Sequence, residues 1–113
     1  MTNARRLSIV VDEDAVIENR PVYTRIVSLA HESGLAGASV FRGIEGFGAT
    51  RRVHTSRLLS VSENMPVLIV IIDTAEAIEQ FLPKLGMLGV RGIVTMEDVE
   101  VVLPGALRER GQP

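Results

Sequence analysis

Residues 6–12 alternate Leu7, Ile9 and Val11 against Ser8, Val10 and Asp12. That period of two places alternate side chains on opposite faces of a strand. An acidic stretch follows. Asn19, Arg20 and Pro21 then read as a helix start, with Asn19 or Arg20 as the cap and Pro21 in the first turn, where a missing N–H costs nothing. Val22, Ile26, Leu29, Ala30 and Ser33 share one helical face, and Gly34 supplies the C-terminal cap. Residues 37–43 read as a second strand, and residues 57–62 fit the returning arm of a hairpin that Met65 and Pro66 break. The run VLIVII at 67–72 has no polar gap and is the strongest strand signal in the chain. Asp73 or Thr74 caps a second helix whose stripe is Ala75, Ile78, Phe81, Leu82 and Leu85. An interior proline removes a hydrogen bond and crowds the preceding turn at roughly 3 kcal/mol, so Pro83 predicts a kink or an early end. Gly86, Gly89 and Gly92 mark a turn, and Glu97 and Asp98 read as turn residues. Residues 99–103 form a last strand, and a polar, frayed tail covers 104–113.

The order is β-α-β-β-α-β, the split arrangement of a ferredoxin-like α+β sandwich. An antiparallel sheet carries both helices on one face and leaves the other open. Residues 67–72 are nevertheless apolar on both faces, and Val10 is apolar on the face opposite Leu7, Ile9 and Val11. An exposed aliphatic patch is a liability in a monomer. The pattern therefore predicts a homo-oligomer whose copies cover that face for one another. The 113 residues fit a single domain, 1–113, with a core at about 6–103.

Composition sharpens this picture by exclusion. With 46% apolar residues but only one Tyr, three Phe and no Trp, the core has to be aliphatic. No cysteine is present, so there is no disulfide framework, thiolate metal site or cysteine nucleophile. A net charge of -2 gives no pull toward nucleic acid or an anionic membrane, and the first and last strands carry no aromatics for base stacking. No apolar run suits a signal peptide or direct membrane insertion, so the expected address is cytoplasmic.

The chemistry that remains gathers in residues 42–57. Arg42, Arg51, Arg52, Arg57 and His54 face one acid there, Glu45. Guanidinium forks match phosphate and carboxylate oxygens, and Gly43, Gly46 and Gly48 permit positive φ and close approach of backbone N–H groups to an anion. Arg91, between Gly89 and Gly92, is a second candidate anion holder. The plainer alternative is a solvated hairpin tip and an exposed turn. Two histidines without ligand spacing give no metal site. No Gly-x-Ser-x-Gly elbow appears and no two carboxylates take acid and base roles, so the expectation is a protein that is not an enzyme and needs no cofactor.

Several motifs carry a resemblance. The stretch GLAGASVFRGIEGFGA at 34–49, RVHT at 52–55, MPVLIVIIDT at 65–74, FLP at 81–83 and GIVTMEDV at 92–99 resemble, in that order, the bacterial family called domain of unknown function 190. That family is similar to the PII signalling proteins, which are ferredoxin-like trimers. The resemblance implies a PII-like signalling regulator, a homotrimer that binds a small anion between subunits. An adenine nucleotide is one candidate ligand. A loop after the second strand would then reach a protein partner, such as a membrane channel. By position, residues 43–57 match that loop and residues 86–92 match the loop before the last strand. The residues so implicated are Gly43, Gly46, Gly48, Arg51, Arg52, His54, Gly89 and Arg91. Residues 86–92 depart from the PII pattern, since Arg91 is their only charge. Two alternatives stay open, a ligand-free protein–protein interaction module and a metal-responsive trimer.

Overall fold

The computed structural model describes residues 2–47, 54–55, 65–105 and 107. Its elements are β1 (Thr2–Asp12), β2 (Val16–Ile17), β3 (Arg20–Pro21), α1 (Val22–Glu32), β4 (Ser39–Arg42), β5 (Glu45–Gly46), β6 (His54–Thr55), β7 (Pro66–Thr74), α2 (Ala75–Leu88) and β8 (Ile93–Val101). The main sheet is antiparallel in the order β4-β7-β1-β8, the ferredoxin-like arrangement expected. Strand β1 lies inside it, with Ile9 opposite Ile69 on one side and Val94 on the other. Both helices pack on one face. Leu7, Ile9 and Val11 of β1 and Val67, Ile69 and Ile71 of β7 are buried there against Val22, Ile26 and Ala30 of α1 and Ile78, Phe81 and Leu85 of α2.

The first helix starts differently from the expectation. Glu18 and Asn19 have φ of 52° and 65° and form the two-residue turn of a small hairpin that pairs Ile17 with Arg20. Positive φ at both central residues suits the twist of a tight hairpin, and asparagine tolerates it. Asn19 is therefore a turn residue, and Pro21 is the N-cap, with the Val22 amide donating to Ala15 O at 2.9 Å. The far end agrees with the sequence. Gly34, at φ 78°, follows Ser33, and the amides of Gly34 and Leu35 donate to His31 O and Ala30 O, which ends the helix in a Schellman motif.

Thr74 caps α2, its Oγ1 accepting the Ala77 amide at 3.2 Å. The helix then runs through Pro83 to Leu88 and does not end early. Pro83 and Glu79 are both exposed, so water can reach the carbonyl the proline leaves unpaired. Burying Phe81 and Leu85 on the opposite side contributes about 1.5–3 kcal/mol each, enough to hold the turn in place. Gly86 consequently lies within the helix and not in a turn, and Gly89 at φ 79° provides the left-handed cap.

Strand β8 begins six residues before the expected 99–103 segment and stops before Leu103. None of its side chains is buried, so no alternation of burial betrays it. Glu97 and Asp98 are strand residues directly opposite Arg6 and Arg5, and both form ion pairs with them. Pro66 opens β7, a position where its missing N–H is tolerated, and Met65 before it is fully buried. The returning arm expected at 57–62 lies outside the described residues. At the start of the tail Leu107 N donates to Pro104 O at 2.8 Å and the Leu107 side chain is buried, while 106 and 108–113 lie outside the described residues.

Candidate functional site

The sequence-derived residues fall into two groups at the same end of the sheet. The first lies where the chain leaves β4. Arg42 pairs with Val67, and the Gly43 amide donates to Pro66 O at 2.7 Å. A Cβ on Gly43 would stand 2.8 Å from Pro66 Cγ, and one on Gly46 3.0 Å from the same atom. Neither glycine has positive φ. The close approach of the proline ring is what demands glycine at Gly43, and its N–H is already engaged. Gly46 pairs with His54 and Glu45 with Thr55 in the short β5–β6 ladder. Gly48, Arg51 and Arg52 lie outside the described residues.

Arg42 is the described arginine of this group. Its Nε donates to Glu13 Oε2 at 2.7 Å. That hydrogen bond, with the negative charge of Glu13 adding to it against desolvation, holds the guanidinium above its ordinary range. Glu13 thus answers part of the basic charge that the sequence left unopposed. Phe41, Ile44 and Phe47 around it are 55%, 76% and 59% exposed, so the described base of the loop is apolar as well as basic.

The second group is the 89–92 turn. Gly89 closes α2, Arg91 is exposed, and a Cβ on Gly92 would meet Val10 O at 2.2 Å, so the turn lies directly on the end of β1. In the strand order, β7 and β1 separate β4 from β8. Three inter-strand spacings put the two groups about 14 Å apart at their bases. One chain does not bring Arg42 and Arg91 onto a common ligand.

Among the described residues, two of the grooves bear on the sheet. One, of about 410 Å³, is lined by Asn3, Arg5, Asp98 and Glu100 at the opposite end of β1, where Arg5 is held by Glu79 at 2.8 Å and by Asp98 at 3.3 Å. The other, of about 290 Å³, lies on the open face over Val70 and Ile72, between residues 36–39 and the returning Pro104 and Leu107. The sequence reading missed this second groove, because nothing local marks Leu107 as a buried residue. It also assigned Asp73 only as a cap. Asp73 is fully buried, accepting the Ala36 amide at 2.8 Å and the Thr74 amide at 2.7 Å, and so ties the approach to β4 to the start of α2. The signal was present, since Asp73 continues the inward parity of Val67, Ile69 and Ile71. Among the described residues no three His, Asp or Glu side chains gather to hold a metal ion, and no helix is long and apolar enough to cross a membrane.

This sheet order, with two helices on one face, is a PII-like fold. A nitrogen regulatory PII-like protein from Thiomonas intermedia K12, solved with ADP, AMP and bicarbonate, matches with a TM-score of 0.66 at 15% identity over 92% of each chain. A PII-like signalling protein from Thermus thermophilus gives 0.66 at 18% identity over 94% of this chain and 96% of that one. The divalent ion tolerance protein CutA1 of Ehrlichia chaffeensis gives 0.64 at 14% identity over 97% and 96%. Sequence narrows the class to a family. Residues 4–101 match domain of unknown function 190, described as "Uncharacterized ACR, COG1993", and the chain belongs to that family. A UPF0166 protein of Aquifex aeolicus is 38% identical over 96 residues, covering 85% of this chain and 90% of the relative. One from Methanocaldococcus jannaschii is 32% identical over 102 residues, covering 89% and 94%.

Proposed function

We propose that this chain is a non-catalytic PII-like regulator. It acts in the cytoplasm as a single-domain homotrimer and binds a small anion in the clefts between subunits. The observation that carries this reading is the placement of the two site groups. Arg42 and Gly43 lie at the β4 edge and Gly89 and Arg91 at the β8 edge, both at the end of the sheet where the open face exposes Val10, Phe41 and Ile93. A neighbour that sets its β8 edge beside this β4 edge would join the groups in one cleft and cover Val10, Phe41 and Ile93 together. Arg51, Arg52 and His54 would complete the cleft from the loop. An adenine nucleotide is the favoured ligand class, supported by the ADP and AMP bound to the Thiomonas protein of the same fold. The ligand would set the pose of the loop and so its fit to a protein partner, a membrane channel being one candidate.

Light scattering and titration calorimetry test this directly. The expected results are a trimer mass and saturable heat with ATP, ADP, AMP or a cyclic nucleotide, reduced about tenfold in affinity by Arg91→Ala, as loss of one charge-assisted contact predicts. No heat with any of them at millimolar ligand removes the nucleotide version.

One observation favours a second reading, a ligand-free interaction module. Neither groove contains any of the sequence-derived site residues, while Phe41, Ile44 and Phe47 stand exposed at the loop base. In that case Arg51→Ala with Arg52→Ala abolishes partner capture and no nucleotide response exists to be changed.

A further inference from the structure

Glu13 touches both arms of the β4–β7 connection. It follows Asp12, which makes the last β1–β7 pair, opposite Pro66. Its amide donates to Met65 O at 2.9 Å on the returning arm, and its Oε2 accepts Arg42 Nε at 2.7 Å on the outgoing arm. Between these contacts the Gly43 amide donates to Pro66 O at 2.7 Å. Strands β1 and β4 are not neighbours, because β7 lies between them. The Glu13–Arg42 bond therefore straps across the first residues of β7 and joins the two strands that flank it. A span of two strand spacings, about 10 Å, needs two long side chains, and Glu and Arg supply them. The carboxylate side chain is 31% exposed and the guanidinium side chain 50%, a better shielded pair than Arg5 with Asp98, whose carboxylate is 91% exposed. A charge-assisted hydrogen bond in such a setting is stronger than a neutral one and fixes direction.

We propose that Glu13 is the positioning residue of the loop. It sets the direction in which residue 43 leaves the sheet by holding Arg42 on one arm and Met65 on the other. This rests on the reading that residues 42–57 are the working part of the protein. It assigns the acidic stretch at the end of β1 a task in that reading.

Amide hydrogen exchange of the full chain, followed by NMR, tests the strap without any ligand. Glu13→Gln and Arg42→Gln are each expected to speed exchange of the Gly43 amide about fivefold, the scale of a partly exposed ion pair. The amides of Ile9 and Ile69 keep their wild-type rates. In the Arg42→Gln background, Glu13→Gln adds no further speed-up, because the bond is already gone. Unchanged Gly43 exchange, additive effects of the two substitutions, or an equal speed-up at Ile69 each overturns the proposal. Calorimetric silence with nucleotides would bear on the proposed function and leave these rates as they are.

Discussion

Strand β7 presents one aliphatic face to the helices and another to the open side, where β1 adds Val10 next to the polar Ser8. On the helix side Leu7, Ile9, Ile69 and Ile71 are 0% exposed. On the other side Val10 is 37%, Ile72 40% and Ile93 of β8 66% exposed, although these too are large aliphatic residues. The inner face is explained by the folded chain itself, since α1 and α2 cover it. The outer face is not. Leaving large aliphatic side chains in water costs the chain what burying them would contribute, about 25 cal/mol per Å². Polar residues would serve a monomer better there. The contrast separates what the fold needs from what an assembly needs.

The largest effect that can test this comparison is Ile69→Ala. It should destabilise the chain by about 3–4 kcal/mol in denaturant unfolding, through lost burial and the cavity left between β7 and the helices. Next comes Val10→Asp, which puts a charge on the open face. It should weaken self-association about 100-fold in dilution light scattering, as an unpaired charge at a covered apolar contact does. Full retention of the assembly by this variant would show that the face is not the contact. The smallest effect is Ile72→Ala, three residues along β7 from Ile69 and on the opposite side of the strand. Measured at a dilution where the chain is a monomer, it should cost less than about 1 kcal/mol, since Ile72 is only partly covered there. A cost equal to that of Ile69→Ala would mean that the returning tail buries the open face within one chain.

Legibility followed the same division. The covered face could be read from the sequence because burial on one side imposes a period, so β1, β7 and both helix stripes stood out. The first six residues of β8 could not, because an edge strand with exposed side chains on both faces obeys no burial pattern. Its Glu97 and Asp98 answer Arg6 and Arg5, partners more than 90 residues away. The turn at Glu18 and Asn19 displaced the helix start because two consecutive left-handed residues are a local choice that hydrophobic spacing does not register. At the site, positive φ falls at Gly89, which the sequence marks only as a turn residue, and not at Gly43, which is required instead by Pro66, a residue 23 positions further on. The position of Arg91 relative to Arg42 depended on strand order, which becomes fixed only when β7 inserts between β4 and β1.

The hydrogen bond from Gly43 to Pro66 O has a consequence for how such a chain can diversify. It closes the connection at its root, so the two ends of whatever lies between are fixed at one hydrogen-bond length. Chain closure depends only weakly on length, and doubling an insert costs about 0.6 kcal/mol. The root therefore behaves as a socket. Segments of other lengths and other chemistries can be spliced between residues 43 and 66 while β1, β7 and the helix layer stay as they are. A new specificity then needs a new cassette and no new core.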